Sequence, residues 1–304
     1  MKNFQDKVAV ITGGAAGLGR EFAIKAHKLG MKLVLADVQQ DTLDKTVAEL
    51  KEQGAQVIGM ICDVRKGEQV QALADATMKE FGSVHLVFNN AGVGSGGLIW
   101  ENTVADWEWV LGVNVWGVIH GVRIFTKLML ECAKKEEGYE GHIVNTSSMA
   151  GVVNPTAMGV YNVSKHAVVS LSETLYHDLN LVDAPIGASV LCPFFVPTGI
   201  NQSHRNRPDD VKMDAKPTRS QLASQAMTDK AVTSGKVTAE DVANITFKAI
   251  EDGQFYIYTH PQALGGLKTR MEDMTTGRNP TDPNDATPHI RQMLKDMVKG
   301  GSAA

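Results

Sequence analysis

Cysteine is scarce in this chain: three in 304 residues. Cys62, Cys132 and Cys192 lie far apart with no CxxC spacing, which speaks against a zinc knuckle and against a disulfide framework. They read as three small buried hydrophobes in a reducing cytoplasm, and no metal site is expected. An excess of basic charge is also missing. The formal net charge is −4, so the electrostatic footprint of a nucleic-acid or membrane-surface partner is absent. No stretch reaches the ~18 uncharged apolar residues of a membrane span. The first residues, MKNFQDKVAVITGG, run straight into a strand pattern without the apolar region of a signal peptide. There is no internal repeat and no clear linker.

Short apolar runs are abundant, and they alternate with amphipathic stretches. The runs cover residues 7–12, 32–37, 56–63, 84–89, 142–147, 186–192 and 254–258. Each has apolar residues on both faces, as strands of a parallel sheet sandwiched between helices require. Helical periodicity covers 17–29, 41–53, 68–81, 105–131, 159–181 and 239–251. The alternation predicts an α/β, Rossmann-like, doubly wound parallel sheet of about seven strands with helices on both faces. Residues 1–260 read as one dinucleotide-binding catalytic domain. Within it, 196–236 is a polar, Pro-containing lid or loop that carries the charged run 203–216, and long inserts of this kind are functional or disordered. Residues 261–304 form a C-terminal extension to which the pattern assigns no structure.

The first strand ends in Thr12-Gly13-Gly14-Ala15-Ala16-Gly17-Leu18-Gly19, and a helix follows. A pyrophosphate needs backbone amides at a helix N-terminus, with no side chain in the way. Gly13 suits the tight turn, Gly17 the close approach beside Leu18, and Gly19 the packing of helix on sheet. Alone such a turn also reads as an ordinary strand-to-helix connection. Asp37 ends the second strand, 18 residues after Gly19. A carboxylate there accepts hydrogen bonds from ribose hydroxyls and repels a 2′-phosphate, so NAD(H) is preferred over NADP(H). The alternative for Asp37 is a cap on the next helix, a task for which Asp41 is better placed. Arg20 reads as a phosphate ligand or as plain helix surface. Asp63 and Val64, at the end of the third strand, can meet an adenine, or can simply form a turn. Asn90, Ala91 and Gly92 end the fourth strand and suit the floor of a ligand crevice, although Asn and Gly also favour turns.

Tyr161 and Lys165 stand four residues apart on one helical face. A phenol near its usual ~10 is a poor base at neutral pH, and a neighbouring ammonium favours the phenolate. Ser148, thirteen residues upstream of Tyr161, can polarise a carbonyl at the same sheet edge. Asn114 sits among apolar neighbours in a helix and needs partners, either as a satisfied core amide or as the holder of a water near Lys165.

The combination resembles the short-chain dehydrogenase/reductase family in its compact single-domain branch. The resemblance runs from about Lys7 to Tyr258 and rests on the TGGAAGLG turn, Asp37, Asp63, the NNAG run, Asn114, Ser148 and the Tyr161/Lys165 pair. It implies that Tyr161 is the general acid/base, that Lys165 lowers its pKa and bonds the nicotinamide ribose, that Ser148 orients the substrate oxygen, and that Asn114 holds a water of the proton relay. Pro193, Val196 and Thr198 match positions that meet the nicotinamide amide. Phe194 departs from the family's glycine and makes the pocket wall bulky. Met149, Met158, Phe194 and Phe195, with Trp100 and Val153, are the expected substrate-pocket residues. The implied activity is reversible hydride transfer between NAD(H) and a secondary alcohol or ketone, with bulky or aromatic substrates favoured by the apolar pocket. The alternatives are a non-catalytic NAD-binding sensor or scaffold, an NADP(H)-preferring carbonyl reductase, and an isomerase or dehydratase of the same fold. Excess apolar surface on 105–131 and 159–181 suggests a subunit interface, and the resemblance implies a homotetramer or homodimer. His204, Arg205 and Arg207 read as a solvated charge run rather than as partners of an acidic substrate.

Overall fold

The computed structural model describes residues 1–212 and 216–299. Seven strands form one sheet: β1 (Val8–Thr12), β2 (Lys32–Asp37), β3 (Val57–Ile61), β4 (Leu86–Asn89), β5 (Gly141–Thr146), β6 (Ile186–Cys192) and β7 (Tyr256–Tyr258). All pairs are parallel, in the order β3-β2-β1-β4-β5-β6-β7. Chain direction across the sheet reverses between β1 and β4, where Ala9 aligns with Leu86. That switch point opens a crevice at the carboxyl ends of the strands.

Alternate side chains go to opposite faces, and each face meets helices. Ile11, Leu33, Leu35 and Phe88 pack with Phe22, Leu43 and Phe247. These come from α1 (Gly17–Lys28), α2 (Gln40–Glu52) and α8 (Ala239–Asp252). Phe22 stacks on Phe88 with ring centroids 4.5 Å apart. On the other face Val10, Val34 and Val87 pack with Leu73, Phe125, Met129 and Leu175. These belong to α3 (Gly67–Phe81), α5 (Gly117–Ala133) and α6 (Gly159–Leu181). The apolar-on-both-faces pattern therefore has its expected cause.

Four places differ from the sequence expectation. First, the helix expected over 105–131 is α4 (Val104–Leu111), a π turn at Gly112–Trp116, and then α5. The three run on continuously, and by length and composition alone Val104–Ala133 is long and apolar enough to cross a membrane. Glu108 and Arg123 confine its uncharged run to residues 109–122, while the average over a longer window stays apolar. Second, Asp41 caps nothing: α2 begins at Gln40, and Asp37 itself accepts the amide of Gln39. Third, the polar insert is largely ordered, with 3-10 turns at Gly199–Asn206 and Asp209–Val211 and a helix, α7 (Arg219–Thr233), started by a Thr218/Gln221 capping box. Part of its charged run, residues 213–215, lies outside the described residues. Fourth, the described residues of the extension include two helices, α9 (Gly265–Thr276) and α10 (Pro288–Lys299).

Candidate active site

Thr12 closes β1 and locks the crevice floor. Its hydroxyl accepts the amides of Asn90 and Ala91 at 2.9 and 3.1 Å. The turn that follows needs its glycines. Gly13 and Gly17 have φ of +65° and +53°, where other residues are strained. A β-carbon on Gly19 would collide with the carbonyl oxygen of Gly13, so this glycine packs the turn rather than facing the crevice. α1 has no side-chain cap and no acidic residue in its first turn, so its first amides remain available to an anion. Arg20 is not: it pairs with Glu21 at 3.1 Å and Glu49 at 2.8 Å.

Asp37 is fixed by two backbone donors, Ala15 N at 3.1 Å and Gln39 N at 3.1 Å. Beside it Val38 and Ile61 stand open to solvent although apolar, as the walls of a slot for a flat ring would. Sequence reasoning missed both, and their only signal was an apolar residue just at a strand end. Asp63 grips Arg65 through both oxygens, and Arg65 continues to Asp210 of the insert at 3.2 Å. Asp63 is thus engaged by a guanidinium as well as lying on the crevice, while Val64 is buried on its wall. Asn90 is a strut: its amide donates to the Thr12 carbonyl and accepts from Thr146.

Ser148 follows β5, and its Oγ accepts the Ala150 amide at 3.1 Å. Tyr161 and Lys165 occupy the start of α6, which Ser147 ties to the sheet by donating to the Lys165 carbonyl at 2.8 Å. Both side chains are buried, with the ammonium 5.6 Å from the phenol ring centroid. Lys165 Nζ donates to the Thr146 carbonyl at 3.0 Å. Burial pushes the Tyr161 phenol up to about 12, with the Ser148 hydroxyl pulling the other way, and brings the Lys165 ammonium down to about 8. The expected lowering of the phenol by Lys165 is therefore not what the protein alone provides. Loss of solvation outweighs the hydrogen bond with Ser148. Asn114 lies in the π turn with both ends of its amide committed: Oδ1 accepts from Val93 N, and Nδ2 donates to Val93 O and Ser164 Oγ. Its side chain is the satisfied core amide of the two readings. A π turn shifts backbone pairing, however, and often marks a functional position.

One cavity of about 760 Å³ joins these parts, from Asp37 and Asp63 past Gly13, Gly17, Leu18, Ala91 and Gly92 to Ser148, Tyr161 and Lys165. Pro193, Val196 and Thr198 line it, as do Met149, Met158, Phe194, Phe195 and Val153. Trp100 does not. It lies in the exposed turn Ile99–Glu101, three-quarters solvent-accessible. Phe194 leans on Phe195 and His260, with ring centroids 4.5 and 5.6 Å away. The insert closes the far wall with Ser224, Gln225 and Thr228 of α7, none of which the sequence singled out.

The charge run is not simply solvated. Arg207 forms an ion pair with Asp106 at 2.6 Å, both nearly buried, over the Trp109 ring. His204 and Arg205 do remain exposed. Among the described residues no group of three or more His, Cys, Asp or Glu side chains is placed to hold a metal ion.

The glycine turn, the fixed carboxylate and the buried phenol–ammonium pair share one sheet edge. The profile of the short chain dehydrogenases matches residues 7–209. This chain belongs to that family. A short-chain dehydrogenase/reductase from Burkholderia phymatum, solved in complex with NAD, is 56% identical and superposes with a TM-score of 0.90 over 93% of this chain and 99% of its own. A CLA biosynthesis dehydrogenase/reductase from Lactiplantibacillus plantarum is 32% identical over 92% of this chain and 97% of its own. A C alpha-dehydrogenase from a Sphingobium species is 31% identical over 97% and 94% respectively. The protein is therefore an oxidoreductase of the short-chain dehydrogenase/reductase family, and its glycine turn fits a nicotinamide dinucleotide: a β-carbon on Gly17 would press on the Thr198 side chain at 3.3 Å and fill the cradle.

Proposed function

We propose that this short-chain dehydrogenase/reductase transfers hydride reversibly between NAD(H) and a secondary alcohol or ketone with a bulky apolar or aromatic body. The observation that carries this reading is the placement of Ser148, Tyr161 and Lys165 in the same cavity as Asp37. The cofactor, when bound, supplies or accepts the hydride. The Tyr161 hydroxyl gives the proton to the substrate oxygen in reduction and takes it back in oxidation. Ser148 donates a hydrogen bond to that oxygen and fixes its position. Lys165, buried beside the phenol, stabilises the phenolate as it forms. Met149, Met158, Phe194 and Phe195 surround the remainder of the substrate with apolar surface and exclude water. Asp37 accepts from the adenosine ribose, and its charge disfavours a 2′-phosphate. The NAD complex of the Burkholderia relative and the dehydrogenase names of the relatives support this reading.

The test is NADH oxidation over a panel of ketones graded from small aliphatic to bulky aryl, repeated with NADPH. The expected result is turnover that rises with the apolar bulk of the ketone and is at least tenfold faster with NADH. Absence of turnover with every ketone, and of NAD⁺ reduction with the matching alcohols, sinks the reading. Faster turnover with NADPH would reverse the role given to Asp37.

A further inference from the structure

The crevice presents a charge problem that the glycine turn does not solve. A dinucleotide's pyrophosphate carries two negative charges, whereas the amides of a helix N-terminus offer about half a positive charge. The cation nearest in sequence, Arg20, is held by Glu21 and Glu49. Four cations among the described residues line the cavity. Lys165 is buried at the far end, donating to the Thr146 carbonyl. Arg65 is held by Asp63 and Asp210. Arg207 is held by Asp106. Arg205 has the neutral Gln202 Oε1 as its hydrogen-bond acceptor, at 3.0 Å.

The position of Arg205 is as telling as its pairing. A β-carbon on Gly17 would lie 3.3 Å from the Thr198 Cβ, and one on the next residue, Gly199, would lie 3.0 Å from the Arg205 Nη2. The guanidinium therefore sits one residue beyond the phosphate cradle, over a glycine that leaves it room. The segment that carries it is fastened on both sides. Ser203 bonds the backbone of Gly94 at 2.9 Å, Arg207 grips Asp106, and Asp210 grips Arg65. These ties hold the segment on the rim of the crevice before any ligand arrives, which reduces the ordering cost of using it.

We propose that Arg205 is a cofactor-binding residue, supplied by the insert, whose guanidinium pairs with the pyrophosphate of the dinucleotide. The proposal rests on the cofactor reading above. It assigns the insert two tasks, walling the substrate and holding the cofactor, and it explains an exposed arginine that pairs with no carboxylate among the described residues, at the mouth of a crevice that must hold an anion. A planar fork of donors suits a phosphate better than a point charge does.

Calorimetric titration of the full-length protein with NADH, ADP-ribose and adenosine tests this in the wild type, Arg205→Gln and Arg205→Lys. Arg205→Gln is expected to weaken NADH and ADP-ribose about tenfold, to leave adenosine unchanged, and to make NADH affinity less sensitive to salt. Arg205→Lys should recover part of the loss. Equal NADH affinity in wild type and Arg205→Gln overturns the proposal. An equal loss for adenosine also overturns it, because adenosine carries no phosphate. A wild type that binds neither NADH nor ADP-ribose overturns the cofactor reading itself, a result distinct from either of these.

Discussion

At the scale of the residue, the tension lies in Tyr161. Burial holds its phenol near 12, and burial also drains Lys165 to about 8. A proton donor with a high pKa suits ketone reduction at neutral pH. Alcohol oxidation needs the phenolate, which only an additional positive charge in the crevice, or a higher pH, makes available. The sign follows directly. A phenol raised above its ordinary value is protonated throughout the neutral range, so the oxidation kcat/KM should climb as pH rises from 6 to 9, while reduction does not climb. Measuring both directions over that range checks it, and an oxidation rate that is flat or falling would remove Tyr161 from the base role. Tyr161→Phe keeps the ring and its packing and deletes the hydroxyl. Activity should fall by at least about 10²-fold, with NADH affinity preserved in a fluorescence titration. Survival of activity would reassign the acid/base. The shared placement of Tyr161 and Lys165 was legible in the letters, because a four-residue spacing on a helix fixes a shared face. The direction of the pKa shift was not, since it depends on burial contributed by residues far away in sequence.

At the scale of the element, strands were easier to read than helices and inserts. Two-sided apolar runs have one good explanation, and β1 to β7 fall where the runs are. The π turn at Gly112–Trp116 left no mark, because its residues keep the helical pattern of α4 and α5 while the backbone pairing shifts beneath them. Within the insert, Arg207 is hidden for a related reason. The insert's arginines look like solvent-exposed charge in the sequence, yet Arg207 reaches back about a hundred residues to Asp106, the residue that also completes the Thr103 capping box of α4. Removing one partner of a buried ion pair leaves an uncompensated charge. Arg207→Met should therefore cost on the order of 3 kcal/mol in chemical denaturation. It should also raise the KM for the ketone, because Arg207 lines the cavity. An unchanged denaturation midpoint would mean that water replaces the guanidinium at no cost, and that the pair does not hold the insert.

At the scale of the whole molecule, apolar surface is left over. Val104, Trp116 and Val163 are exposed on α4, the π turn and α6, and only a third of the most apolar window in Val104–Ala133 is buried. A second copy of the chain is the partner we propose for that surface, as a homodimer or homotetramer. The extension is a different matter, because its cover is visible. Leu264 and Leu267 pack on the cluster of Met149, Val152 and Val169 behind the pocket wall. Asn284 donates to Thr156 at 3.2 Å, and Arg219 of α7 donates to the Lys299 carbonyl at 3.3 Å. α10 thus rests on α7, the helix whose Ser224, Gln225 and Thr228 close the substrate side. None of this could be read from the sequence, since α10 is amphipathic toward a surface that exists only once the insert has folded. The consequence is separable from the chemistry. Deleting residues 288–304 should loosen α7 and raise the KM for bulky ketones several-fold. NADH affinity should stay as it was, because Asp37 and the glycine turn lie at the other end of the cavity and the Arg205 segment keeps its own ties to Gly94, Asp106 and Arg65. Steady-state kinetics beside an NADH titration distinguish the two. A KM that stays constant would make the extension irrelevant to the pocket, and a parallel loss of NADH binding would mean that the deletion disturbs the whole fold rather than the substrate wall.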